Sequence, residues 1–293
     1  MADVTLAQRP DPAPEIHLAP RQTKGPKGHA GPGRWLLRIA ALFYLAALLI
    51  IPVALIFWRT FENGLAPVWE ALTDEDVLHA IQVTIVVAGV AVLFNTIFGV
   101  VASFLIARHE FRGKFIIDKL IDLPLAVSPV IVGLALILTY GKNAPIGGFL
   151  DDIGYQIIFA QPGMVLATCF VSLPLVVREL VPVLEEIGTE QEQAAATLGA
   201  SPFQIFRRIT LPAIRWGLAY GVILTLARSL GEYGGVAVVS GKVVGETQTL
   251  TLYVEEAYGN FHRVGAYSAA FLLAFLAVAA LVIMQVFRPK EES

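Results

Sequence analysis

The sequence predicts an all-α membrane protein with six transmembrane helices, N- and C-termini in the cytoplasm, and a short cytoplasmic helix between spans four and five. Three observations predict it. The chain has 293 residues, 56% hydrophobic and only 15% charged, where soluble domains carry about 25% charge. Six apolar stretches reach the ~20 residues that a membrane helix needs. The basic residues fall almost entirely on one side of those stretches, which sets orientation.

Residues 1–34 are rich in Pro, Gly and charge and have no apolar period, so they read as a disordered cytoplasmic tail. The first stretch, Leu36–Trp58 within a first span of 35–60, is too long for a signal core and ends in no small-x-small site. It is expected to stay as an uncleaved span. The others are Ala80–Ala107, Leu120–Tyr140, Met164–Val183, Ala213–Ser240 and Tyr267–Phe287. The third and fourth carry Pro124, Pro129 and Pro174, each read most simply as a packing kink. Residues 288–293 form a second cytoplasmic tail.

Sixteen Lys and Arg residues lie on one side, among them Arg108, Arg178, Arg207, Arg208 and Arg215; Arg59, Lys142, Lys242 and Arg263 are the four on the other. The opposite loops are acidic, with Asp74, Glu75, Asp76, Asp151, Asp152, Glu246, Glu255 and Glu256. Cys169 has no second cysteine to pair with and reads as a small core residue. Five scattered histidines have no ligand spacing, so no metal site and no cofactor is expected.

The polar segment Glu192–Pro212 interrupts this apolar chain. Glu190–Leu198 is dense in Ala, Glu and Gln, good helix formers. Gly199 suits the left-handed turn after a helix. Ser201 can cap a second helix with Pro202 at its first position, and Gln204 completes a Ser-x-x-Gln capping box. Phe203, Phe206 and Ile209 give that helix an apolar stripe, and Pro212 marks entry to the next span. The stripe suits either lipid head groups or a protein groove.

Within the spans, Arg228 stands near the middle of the run Trp216–Ser240, with Glu232 one helical turn on. A mid-membrane Arg costs about 2.5–3.5 kcal/mol on insertion scales, so it should face protein or water. The pair either braces the pathway or offers positive potential to an anion in transit. Gly231, Gly234 and Gly235 permit close packing or a broken helix. Ser128 beside Pro129 could face cargo or bond a backbone carbonyl. Asn95 and Ser103 read as interhelical hydrogen-bonders.

The order Gln193-Ala194-Ala195, three residues, Gly199, nine residues, Ile209-Thr210-Leu211-Pro212 resembles the EAA motif (E-A-A-x3-G-x9-I-x-L-P) of type I ABC importer permeases. Gln193 stands where that motif has glutamate, with Glu192 just before it. The stretches Leu120–Leu134 and Ala227–Glu255, including Ser240-Gly241-x3-Gly245-x-Thr247-x-Thr249-Leu250, are similar to the sulfate/thiosulfate permeases, closest to the CysW-type subunit.

The resemblance spans residues 75–287 as the permease transmembrane domain and implies a multi-pass subunit of the bacterial inner membrane. It implies a coupling helix, with Glu192, Gln193, Ala194, Ala195, Gly199, Phe203, Phe206, Ile209, Leu211 and Pro212 contacting a separate ABC ATPase present in two copies. It implies a second, homologous CysT-type permease subunit and a periplasmic or surface-tethered sulfate-binding protein. That protein is expected at Phe61–His79, Gly141–Gln161 and Gly241–Gly265.

Arg228, Glu232, Ser128, Pro129 and Ser240 are the candidates for the translocation pathway or gate. No G-x4-G-K-[ST] phosphate loop occurs, so ATP hydrolysis is expected in a partner chain, not here. Neither a catalytic constellation nor a nucleic-acid role is expected, and membrane lipid surrounds the spans. Molybdate, tungstate or another oxyanion as cargo, and less simply a secondary anion transporter, are the alternatives.

Overall fold

The first apolar run is helical over Pro32–Leu45 (α1) and Ile51–Phe61 (α2), with a wide π turn, Ala46–Ile50, between them. The computed structural model describes residues 32–287. The predicted tails 1–34 and 288–293 lie outside the described residues, except that helix already begins at Pro32, within the usual imprecision of a helix end. Pro52 accounts for the wide turn. Proline has no N–H, and its ring would strike the carbonyl four residues back; Ile51 N–H instead reaches Ala46 O, loosening the ladder just ahead of it. The chain divides into two units at Pro52.

In the second unit, α3 (Leu65–Leu72) precedes the long α4 (Glu75–Arg108). Asp74 caps α4 by accepting the Asp76 N–H at 3.0 Å. Glu75 and Asp76 in the first turn complement the positive end of the helix dipole. Acids that the sequence places in an outer loop thus start a helix.

The expected third span is not one straight helix. It consists of α5 (Lys114–Ala126) and α6 (Pro129–Tyr140), bent by 111° at Val127–Ser128. Pro124 lies inside α5 without breaking it, whereas Pro129 holds Ser128 extended, the conformation its ring imposes on the preceding residue. After α7 (Pro145–Asp152), α8 (Gln161–Ile187) exceeds the expected Met164–Val183 and absorbs Pro174 and Pro182.

Helices α4 and α8 run parallel. Cys169 Sγ lies 3.9 Å from Ala91 O, Asn95 bonds Ser172, and Arg108 bonds Leu184 O. Two parallel helices require the chain between them to travel back, so the bent α5–α6 pair makes one return crossing.

Next come α9 (Glu190–Thr197), α10 (Pro202–Ile205), a second π turn (Phe206–Thr210) and α11 (Leu211–Leu230). α11 lies antiparallel to α8, with Ser229 at its far end meeting Ser172 at 3.3 Å. The expected span Ala213–Ser240 is corrected here. The helix stops at Leu230 and resumes as the short α12 (Gly234–Val239), so Arg228 stands in the last turn of α11, not in the middle of a helix. α13 (Leu250–Gly259) and α14 (Arg263–Phe287) complete the described residues.

The core forms where α8 meets its neighbours. Val83, Val87, Met164, Ala167, Val236, Val239 and Leu252 bury one cluster; Val176, Leu180, Leu184 and Ile214 bury another nearer the α8–α11 connection. Together the helices supply five long apolar spans plus the bent pair.

Candidate functional site

The connection between α8 and α11 folds as its local signals direct. α9 ends in a Schellman turn: Ala200 N–H bonds Ala195 O at 3.1 Å, Gly199 N–H bonds Ala196 O at 3.0 Å, and Gly199 has φ +82°. Any other residue at Gly199 is strained. Ser201 and Gln204 form both halves of the capping box, Ser201 N–H to Gln204 Oε1 at 2.9 Å and Gln204 N–H to Ser201 Oγ at 3.4 Å. Pro212 does not mark a break. The second π turn lets Leu211 N–H reach Phe206 O, and helix continues from Pro202 to Leu230 as one 29-residue run.

The expected stripe does not lie on one face. Phe203 is 69% exposed. Phe206 instead turns inward and meets Phe104 of α4 edge-on at 5.5 Å, and Ile209 is only partly covered. Leu211 packs on the core, while Pro212, Ala194 and Gln193 are exposed and Ala195 is half-covered. Leu198, just before the glycine, is 88% exposed and joins Phe203 as an outward apolar group. Each step of three residues drifts by about 60° around an α-helix, so Phe203 and Phe206 do not share one face even before the π turn.

Glu192 and Gln193 divide their work. Gln193 Nε2 donates to Thr189 Oγ1 at 2.9 Å, a local bond. Glu192 Oε1 accepts from Thr210 Oγ1 at 2.9 Å and from Arg108 Nη2 at 3.2 Å. The carboxylate making long-range contact is the residue before the motif's glutamate position.

The second cluster forms where α11 breaks. Arg228 Nη1 lies 2.6 Å from Glu232 Oε2 as a close ion pair without hydrogen-bond alignment. Glu232 Oε1 accepts the Gly235 N–H at 2.9 Å, satisfying a donor at the start of α12. The Arg228 side chain is 38% exposed and that of Glu232 only 2%. The cation therefore faces open space while its partner is enclosed.

The bend at Ser128–Pro129 packs directly on this break: α12 lies against α6, and a Cβ at Gly133 would meet Val238 Cβ at 2.7 Å and Gly235 O at 2.9 Å. Candidates read separately in sequence thus stand together. Ser128 is exposed and caps no N–H. Ser240 is fully buried and its Oγ accepts the Lys242 N–H at 3.1 Å, so it terminates α12 and does not line an opening. The glycines serve both readings: close approach at Gly235 and a broken helix at Gly231.

The run Ser240–Leu250 is exposed over 241–246 and turns inward only at its end. Thr247, Gln248, Thr249 and Leu250 are all buried; Leu250 N–H bonds Thr84 Oγ1 at 2.8 Å, and Thr251 Oγ1 bonds Glu232 O at 3.0 Å. Within its exposed part Lys242 Nζ bonds Glu255 at 2.7 Å, a hydrogen bond that raises the lysine's pKa above 10.5. Lys142 is raised likewise by its hydrogen bond to Asp151.

Asn95 behaves as an interhelical tie, donating to Cys169 O and Ser172 Oγ, both at 2.9 Å. Ser103 does not: its buried hydroxyl has no partner among the described residues. Sequence reasoning also missed Arg178, counted only as a positive-side charge. It clamps α5 to α8 through Asp122 (Nε–Oδ1 2.6 Å) and Asp118 (Nη1–Oδ1 3.0 Å). Acids at 118 and 122, one helical turn apart on α5, were the available signal.

Five long apolar helices and a bent pair, with an ordered helical element between two of them, make the chain a multi-spanning membrane protein. The family described as binding-protein-dependent transport system inner membrane component matches residues 96–292, and the chain belongs to that family. It is 48% identical over 253 residues to the sulfate transport system permease protein CysW of Synechocystis sp., covering 86% of this chain and 92% of that one. It is 47% identical over 251 residues to the protein of the same name in Escherichia coli K12, covering 86% of each. The sulfate transport system permease protein CysT of Salmonella typhimurium is 33% identical over 253 residues, covering 86% of this chain and 90% of that one. In fold, the chain matches a bacterial ABC transporter involved in import of the acidic polysaccharide alginate, with TM-score 0.69 and 19% identity, covering 87% of this chain and 94% of that one.

Proposed function

We propose that this chain is a membrane-spanning permease subunit of an ATP-driven sulfate/thiosulfate importer. The observation that carries the reading is identity of 47–48% to sulfate permease proteins across 86% of the chain. It forms part of the pathway and takes its drive from a separate ATPase, present in two copies, that seats on the α9–α10 element. The outward Leu198 and Phe203 and the rigid Gly199 turn support that contact. Its permease partner is a homologous CysT-type subunit, and a sulfate-binding protein delivers cargo at the opposite face. The sixteen-to-four excess of Lys and Arg on the side that holds the α8–α11 connection supports placing this end, and both termini, in the cytoplasm of a bacterial inner membrane. Arg228, half-open beside an enclosed Glu232, supplies positive potential to the anion.

The test is capture of the tagged chain from membranes, followed by uptake of labelled sulfate. An ATPase and a second permease should come with it, and uptake should require ATP. Purification alone with continued transport would refute the reading. Gly199→Asp places a side chain at φ +82° and re-aims the element. The variant complex should still hydrolyse ATP while sulfate uptake falls by an order of magnitude or more, a loss on the scale of 1.4 kcal/mol per tenfold.

A further inference from the structure

The last turn of α4 grips the α9–α11 element at two points, although these segments lie 84 residues apart between Arg108 and Glu192. Arg108 ends α4, and its side chain is only 9% exposed. One arm, Nη1, donates to Leu184 O in the last turn of α8 at 2.7 Å. The other, Nη2, donates to Glu192 Oε1 in α9 at 3.2 Å, and the same oxygen takes the hydroxyl of Thr210, which is buried at the end of the second π turn. One turn back along α4, Phe104 meets Phe206. A guanidinium suits this place because its planar fork serves two acceptors on different helices at once, which an ammonium on a flexible stem does not do with fixed geometry.

We infer that Arg108, through Glu192 and Thr210, is a positioning residue for coupling: it locks the ATPase-facing element to the ends of α4 and α8, so that displacement of the element moves both spans. The inference rests on the coupling role proposed above. The clasp closes within the chain itself, so Glu192 spends its charge inward, leaving Leu198 and Phe203 as the groups offered outward. Without it, α9 is joined to the bundle only through the Gly188 linker and the Gly199 turn, and both glycines have positive φ.

The experiment uses the complete complex in proteoliposomes and measures labelled sulfate transported per ATP hydrolysed. Glu192→Gln preserves size and hydrogen bonding but removes the charge; Arg108→Gln removes the fork. Each should assemble normally yet lower the ratio about tenfold, within the range of coupling free energies between sites. The double variant should fall no further than either single, because both substitutions break one unit. Arg108→Lys should restore only part of the loss.

Unchanged ratios, or losses that simply multiply in the double variant, overturn the clasp. So does loss of assembly in Glu192→Gln, which would make the contact structural only. Phe203→Asp serves as the control on the underlying reading. If it lowers the ratio while the Arg108 and Glu192 variants do not, the clasp alone fails; if it too leaves the ratio unchanged, the coupling role of the element fails with it.

Discussion

Two Arg–Glu pairs, Arg108–Glu192 and Arg228–Glu232, invert each other. In Arg108–Glu192 the cation is the enclosed partner, with side-chain exposures of 9% and 20%, and it also holds a backbone carbonyl. In Arg228–Glu232 the anion is enclosed, at 2%, and the cation is 38% exposed. The first pair joins elements far apart in sequence. The second spans one helical turn across a break, and its carboxylate is shared with the start of α12. An enclosed cation with two acceptors has no charge to spare, so it organises the fold around it. On the pathway role proposed above, a cation whose partner is drawn away toward a backbone N–H keeps part of its field for an anion beside it.

Breaking the enclosed side of the second pair should have the largest effect. Glu232→Ala removes the acceptor of the Gly235 N–H and leaves Arg228 without its counter-charge. Removing one partner of a buried pair costs about 3–5 kcal/mol, and the partial exposure of Arg228 puts the expectation near the lower end. Thermal unfolding of the detergent-solubilised complex measures it, and a change too small to shift the midpoint would mean the break is held by packing alone. Arg228→Ala keeps the Gly235 cap but leaves the enclosed Glu232 carboxylate without its counter-charge, and it should transport worse. Uptake of labelled sulfate is expected to fall about tenfold with the complex intact, equivalent to about 1.4 kcal/mol of lost attraction. Intact assembly with undiminished uptake would reduce the pair to a brace like the first and erase the contrast.

Much of this was legible in sequence. Local chemistry determines the Gly199 turn and the Ser201–Gln204 box, because their partners lie within five residues. Six apolar stretches marked the crossings, since length and apolarity alone decide whether a helix suits a bilayer. The bend at Ser128 and the break after Leu230 were each marked by Pro or Gly. Whether such a residue kinks, bends by 111° or is absorbed depends on neighbours: Pro129 turns the chain while Pro174 and Pro182 do not. Phe206 was misplaced because a three-residue step drifts by about 60° around the helix, and only Phe104 from α4 shows which side faces in. Arg108 was invisible as more than a positive-side charge, since its acceptors come from 76 and 84 residues away. Glu192 carried no signal to prefer it over Gln193 until Thr210 and Arg108 were brought beside it.

A third pair, Lys242–Glu255, calibrates the other two because neither partner is enclosed, with exposures of 43% and 46%. Its hydrogen bond raises the lysine's pKa above 10.5. A raised folded-state pKa means the stabilisation is fully present below the ordinary lysine value and is lost as pH rises through the raised one. An exposed pair contributes about 0.2–1 kcal/mol at most, screened by salt. Lys242→Met should therefore cost little at neutral pH, and its difference from the unsubstituted chain should close as the pH passes above 10.5. Thermal unfolding midpoints of both chains, followed from neutral into alkaline buffer, make the comparison. A difference that persists unchanged into the alkaline range would mean that the ion pair does not carry the contribution of Lys242, and would leave burial of one partner as the feature that gives the other two pairs their weight.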